Sequence, residues 1–175
     1  MNTFEKVREL ISSQIEFVSK PLRNGTDLKY ESYNFKDGDD LYLYFKSPVK
    51  GYLSVFLVDE ASQTVYCALP YRNSDGNLKQ IEADTEYILF SKSHSEPNER
   101  RFVDEYVMTV SDELEYNDLY ILFSPEPFGK ASLEYGKETS LPKTTNWQDF
   151  QKWLAKIRIK KPEISLSKII ISIHK

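Results

Sequence analysis

The chain has 175 residues, 40% apolar and 29% charged, with a formal net charge of −4; this is the composition of one soluble globular domain, and it excludes disordered and fibrous classes. No apolar run approaches the roughly 20 residues that cross a bilayer as a helix, and Glu5, Glu9 and Glu16 make the N-terminal segment unlike a signal peptide. Charge is unevenly spread: residues 1–142 hold 15 Lys and Arg against 25 Asp and Glu, net −10, while residues 143–175 hold 8 against 2, net +6. The basic end is expected to dock on the chain's own acidic body, the alternative being an anion-binding tail.

In chain order, residues 1–20 predict an amphipathic helix. Phe4, Val7, Leu10, Ile11, Ile15 and Val18 share one face, Asn2 and Glu5 are spaced as a capping pair, and Pro21 stops the run. Asn24-Gly25 then makes a turn. Strands are predicted at Leu28–Phe35, Leu41–Ser47, Tyr52–Val58, Thr64–Leu69, Thr85–Ser91, Glu105–Val110 and Asp118–Phe123, separated by turn residues such as Asp37-Gly38-Asp39 and Asn73-Ser74-Asp75-Gly76. The polar loop Lys92–Arg101 is expected to be mobile. A short edge strand is possible at Ala131–Tyr135. A second helix starts at Thr145 or Asn146, with Thr145 and Gln148 as a capping box, Trp147, Phe150, Leu154 and Ile157 on its apolar face, and Pro162 as its stop. Ser165–Ile173 reads as a final strand rich in β-branched isoleucine. No helix-length pattern interrupts the strand series, so the expected fold is a mainly β, antiparallel β-sandwich, Ig-like or jelly-roll-like, with an N-terminal and a C-terminal amphipathic helix. It forms one domain over 1–175: a helix at 1–20, the sandwich core at 28–128, and a helix and strand at 145–175.

Three stretches carry a resemblance: Ser47-Pro-Val-Lys-Gly-Tyr-Leu-Ser-Val-Phe-Leu-Val-Asp, Ala68-Leu-Pro-Tyr, and Glu115-Tyr-Asn-Asp-Leu-Tyr-Ile-Leu-Phe-Ser-Pro. Over about residues 28–128 the chain resembles the bacterial "domain of unknown function 4384" family, and its closing helix and strand look like a Bacteroidetes-type extension. The resemblance implies a non-catalytic accessory module of a larger protein and brings no catalytic residues with it; Tyr71 stands where Asn is commoner in the family. From the residues themselves, Gly51 permits the turn after Pro48 and Tyr52 opens an apolar strand.

Candidate chemistry is sparse. Cys67 lies in an apolar run and is expected to be a buried, inert thiol without a disulfide partner. His94, His174 and Cys67 show no zinc-ligand spacing, and Asp37-Gly38-Asp39-Asp40 lacks the spacing of a calcium loop, so no metal or cofactor is expected. His94 among Ser93 and Ser95 could be imagined as a base, and a solvated loop histidine is the plainer reading; His174 is expected to fray. Asn24-Gly25-Thr26 matches a glycosylation acceptor but reads as a turn. The lysines of the second helix lack interleaved aromatics, which argues against nucleic acid.

A non-catalytic binding or scaffolding module is therefore the leading expectation, with a protein partner or an adjacent domain as its ligand. A carbohydrate- or cell-wall-binding sandwich is the alternative, with Tyr71 and Arg72 as the stacking and hydrogen-bonding residues; a hydrolase is the third. The compartment is left open: cytoplasmic for the chain as it stands, the cell envelope if it is part of a longer protein.

Overall fold

The computed structural model describes residues 15–71, 78–128 and 144–175, and within them the fold is mainly β, with two sheets and one α-helix. The smaller sheet runs in the order β1 (Val18–Arg23), β3 (Asp40–Lys46), β7 (Tyr87–Leu89), with β8 (Tyr106–Val107) also on β3. The larger sheet runs β10 (Thr144–Asn146), β5 (Thr64–Leu69), β4 (Gly51–Asp59), β9 (Leu114–Ser124), β11 (Ser165–His174), β2 (Asn34–Lys36), with β6 (Lys79–Ile81) also paired to β4.

Strand period decides what each face buries. Leu53, Val55 and Leu57 of β4 and Leu119, Ile121 and Phe123 of β9 join Leu41, Leu43 and Phe45 of β3 in one core shared by the two sheets. The alternate residues Phe56, Val58, Tyr120 and Leu122 face outward and are covered by the helix α1 (Trp147–Lys160) through Phe150 and Ile157. The Phe56 and Phe150 rings lie 4.8 Å apart. A strand buried on both faces has no polar side to show, which is why β4 reads as an almost unbroken apolar run.

Several expectations need correction. Most of the predicted N-terminal helix, residues 1–14, lies outside the described residues, but its end is not helical. Val18–Arg23 pairs with β3 over six residues, from Val18↔Lys46 to Arg23↔Leu41, and Leu22 is fully buried. Pro21 therefore sits inside a strand instead of ending a helix; β1 is an edge strand, where a missing N–H costs no ladder bond. The predicted strand Leu28–Phe35 divides into a 3-10 turn at Leu28–Tyr30, capped by the Asp27 side chain, and the short β2. That strand runs parallel to β11, so the sheets are not wholly antiparallel. Phe90, with φ of 67°, ends β7 early. Strands β6 and β10 were not anticipated, being short and polar, and Ala131–Tyr135 lies outside the described residues.

The helix begins where expected with a different cap. Thr145 belongs to β10, and it is the Asn146 side chain that accepts the Asp149 N–H at 2.8 Å. The Trp147 N–H donates to the Gln63 carbonyl at 3.0 Å, which ties the start of the helix to the β4–β5 turn. Gly51 also has a different cause from the turn first ascribed to it. A Cβ there would lie 2.4 Å from the Ser124 carbonyl oxygen, so the residue permits close approach of β9.

Candidate functional site

On the outer face of the larger sheet, beyond the part that α1 covers, the ladder brings together side chains that are far apart in sequence. Val58 is opposite Asp118 on β9, Asp118 is opposite Ile170 on β11, and Tyr120 is opposite Lys168. Glu60 follows β4 and is held by its N–H donating to the Tyr116 carbonyl. Val58, Glu60, Asp118, Tyr120 and Lys168, with Gln63 from the β4–β5 turn and Trp147 from the first turn of α1, line a cleft of about 260 Å³. The Tyr120 and Trp147 ring centroids are 5.7 Å apart.

Asp118 is the group out of place. It is 5% exposed, with its Oδ1 closed to solvent and, among the described residues, met by no N–H donor. The Lys168 Nζ lies 3.9 Å from Oδ2, an ion-pair distance beyond hydrogen-bond range, and 5.7 Å from the Tyr120 ring centre. Burial, and then the hydrogen bond and charge of the Glu60 carboxyl, push the Asp118 carboxyl up to about 6 against the lowering pull of Lys168. The arrangement is acidic, partly desolvated and walled on one side by aromatic rings.

The residues singled out in the sequence fall elsewhere. Tyr71 is buried, its hydroxyl accepting the Phe90 N–H at 3.0 Å and its ring edge-on to Phe90. Burial pushes its phenol up. It presents no ring face for a sugar, which corrects its assignment as a stacking residue, and Arg72 lies outside the described residues. His94 is exposed in a 3-10 turn, its Nδ1 within 3.1 Å of Ser91 Oγ and 3.0 Å of Ser93 Oγ. Among the described residues, no carboxylate hydrogen bond to the ring accompanies these contacts. The Lys92–Arg101 loop holds two 3-10 turns braced by Arg100 Nε donating to the Lys92 carbonyl. His174 is the last residue of β11, paired with Leu114, rather than frayed.

The acidic loop is likewise spent on structure. Asp37 Oδ1 accepts the Val110 N–H. Burial would raise the Asp39 carboxyl, yet hydrogen bonds from the Lys36 N–H, Asn24 and Arg23 together hold it below the usual range. Asn24 accepts the Asp40 N–H and donates to Asp39, so the Asn-Gly-Thr sequence is a braced turn. Cys67 is 2% exposed under the helix. Among the described residues, no group of three or more His, Cys, Asp or Glu stands close enough to hold a metal ion, and no helix is long and apolar enough to cross a membrane.

Sequence reading missed Asp118, Glu60 and Lys168. The signal was Asp118 itself: placed at the start of a strand it looked like a terminus, but β9 begins four residues earlier, at Leu114, so the carboxylate lies inside a buried strand.

Fold and cleft together define a class: a mainly β domain of two sheets sharing one core, with a helix on the outer face of the larger sheet and an acidic, aromatic-walled cleft beside it. The chain matches no family model, no curated protein and no solved structure.

Proposed function

We propose that this chain is a non-catalytic binding module and that it holds a small polar ligand in the cleft between Asp118, Tyr120 and Trp147. The observation that carries the reading is the cleft itself, which sets the buried Asp118 carboxyl and the Glu60 carboxyl beside Gln63, Lys168 and the Trp147 ring. Asp118 on β9 and Glu60 just past the end of the neighbouring β4 line the same cleft, so they act on a ligand from the same side, which suits holding it better than cleaving it. The resemblance to the accessory-domain family, and an Ig-like or jelly-roll-like sandwich built from the two sheets, belong to the same reading, as does a place within a larger bacterial protein or assembly. A carbohydrate ligand is the second reading. It is favoured by the half-buried Trp147 ring beside carboxyl and amide groups, the set that grips sugar hydroxyls.

The test is a fragment and metabolite screen read by amide chemical shifts of the labelled chain. Ligands that perturb Asp118, Lys168 and Trp147, and lose affinity on Trp147→Ala, are expected. Hits confined to other surfaces, or turnover of a bound compound, would overturn the reading.

A further inference from the structure

We propose that the chain has a second binding site, on the core-facing side of the larger sheet, for a small neutral ligand with a flat ring. The ligand carries a hydrogen-bond donor beside an acceptor, and the Asn117 carboxamide reads that edge. This goes beyond the outer-face cleft and does not depend on it, because Asn117 and Asp118 are consecutive on β9 and point to opposite faces.

On β9 the row Leu119, Ile121, Phe123, and on β4 the row Leu53, Val55, Leu57, belong to the core between the sheets. Carried one step further by the strand period, the two rows reach Asn117 and Asp59, which are paired across the strands. There the core opens into a cleft of about 320 Å³, walled on the far side by Met108 and Thr109 just after β8. Tyr66 of β5, paired with Leu57, completes the near wall.

Polar residues at the rim of a core are ordinarily wet, and Asp59 and Thr109 fit that description. Asn117 does not. It is 7% exposed, yet among the described residues its side chain makes no hydrogen bond, and its amide nitrogen and oxygen are open to the cleft and not sealed beneath it. Buried side-chain amides almost always have partners, and this one aims two donors and an acceptor at a space large enough for a small molecule. Its C=O and NH2 lie side by side in one plane, so a ligand engages both only by offering a donor next to an acceptor in the same plane. Tyr66 is 38% exposed and, among the described residues, stacks on no other ring, which leaves an aromatic surface for a flat ligand, with Leu57 and Met108 as apolar floor. The Asp59 carboxylate is held by the Ala61 N–H and the Ser62 hydroxyl, each at 3.1 Å, and its charge disfavours an anion. Aromatic carboxamides and free nucleobases both carry the required edge.

The experiment titrates the full labelled chain at neutral pH with two matched pairs, benzamide against acetophenone and adenine against purine. The second member of each keeps the ring and loses the NH2 donor. The readout is the side-chain amide signal of Asn117 with the backbone signals of Tyr66 and Thr109, separate from the outer-face reporters Lys168 and Trp147. The donor-bearing member is expected to bind about fivefold more tightly, the difference one neutral hydrogen bond makes. A larger preference within the adenine pair assigns the site to nucleobases, and within the benzamide pair to aromatic carboxamides. Benzoate should bind more weakly than benzamide. Asn117→Leu should remove both preferences and raise the melting temperature by roughly 2 °C, because an apolar side chain suits that buried position unless a ligand is to be read there. Tyr66→Leu, at an exposed position where folding is not at stake, should weaken every ring compound. Equal binding within both pairs, no response at Asn117, Tyr66 and Thr109 to any compound, or a lower-melting Asn117→Leu would overturn the inference, and each leaves the outer-face reading where it stands.

Discussion

Replacing Asp118 by Asn should make the protein more stable at neutral pH and leave it unchanged in acid. In the folded chain this carboxyl has been pushed up to about 6, chiefly by burial and then by Glu60; in an unfolded chain it titrates near 3.9. The folded state therefore holds its proton more tightly than the unfolded state does. Folding carries no penalty from Asp118 below about pH 4, a growing one as pH rises through the interval to about 6, and a constant one above it. A difference of about two units corresponds to about 3 kcal/mol at full ionisation, an upper bound because solvent in the cleft screens the carboxylate. Asn has the shape of Asp, cannot ionise, and can donate its amide to the Glu60 carboxylate. Urea denaturation of both proteins at about pH 4 and about pH 8 reads the difference directly, the midpoint shifting at constant slope. Equal stability at the higher pH, or a variant weaker than the parent there, would refute the account of Asp118 as a carboxylate penalised by burial beside Glu60.

Three further outcomes follow from the packing. Phe150→Ala empties a fully buried site against Phe56 and Tyr120, so it should cost about 3–5 kcal/mol and reduce the helical circular-dichroism signal more than the β signal; an unchanged signal would mean the helix is held from elsewhere. Gly51→Ala would press a methyl group onto the Ser124 carbonyl and the Phe123 ring and should lower stability by about 1–3 kcal/mol, measured by thermal melting, whereas a turn-only role would leave it nearly neutral. Cys67, covered by α1, should resist a thiol reagent in the native protein and react fully in denaturant; prompt native-state labelling would show that the helix lifts away.

Much of the architecture was legible in local pattern. Strand β5 runs over the residues expected of it, β3 and β4 differ by a residue at each end, and the apolar face of α1 is the one the 3.6-residue period selects. The misreadings share a cause. Val18 fits a helical stripe, but six cross-strand pairs with β3 outweigh a weak local preference, and no property of residues 18–23 alone discloses that partner. The parallel β2–β11 pair joins segments nearly 140 positions apart, as its Ser172–Asn34 side-chain hydrogen bond shows. The cleft was hidden for the same reason. Glu60, Asp118 and Lys168 each look like a solvated charge in their own neighbourhoods, and only the register of β4, β9 and β11 makes them neighbours. Tyr71 failed in the opposite sense: an aromatic beside an arginine looks like a surface platform until Phe90 closes over it.

The position of β11 has a consequence for synthesis. It is the last described strand to leave the ribosome, yet it is wedged between β9 and β2 instead of lying at a border of its sheet. Until it arrives, β9 offers an open row of backbone donors and acceptors flanked by isoleucine, leucine and phenylalanine, the kind of surface that recruits strands from other nascent chains. Translation speed over the stretch that carries β11, and chaperones able to shield a long apolar ribbon, should therefore govern yield more strongly than the modest size of the fold would suggest.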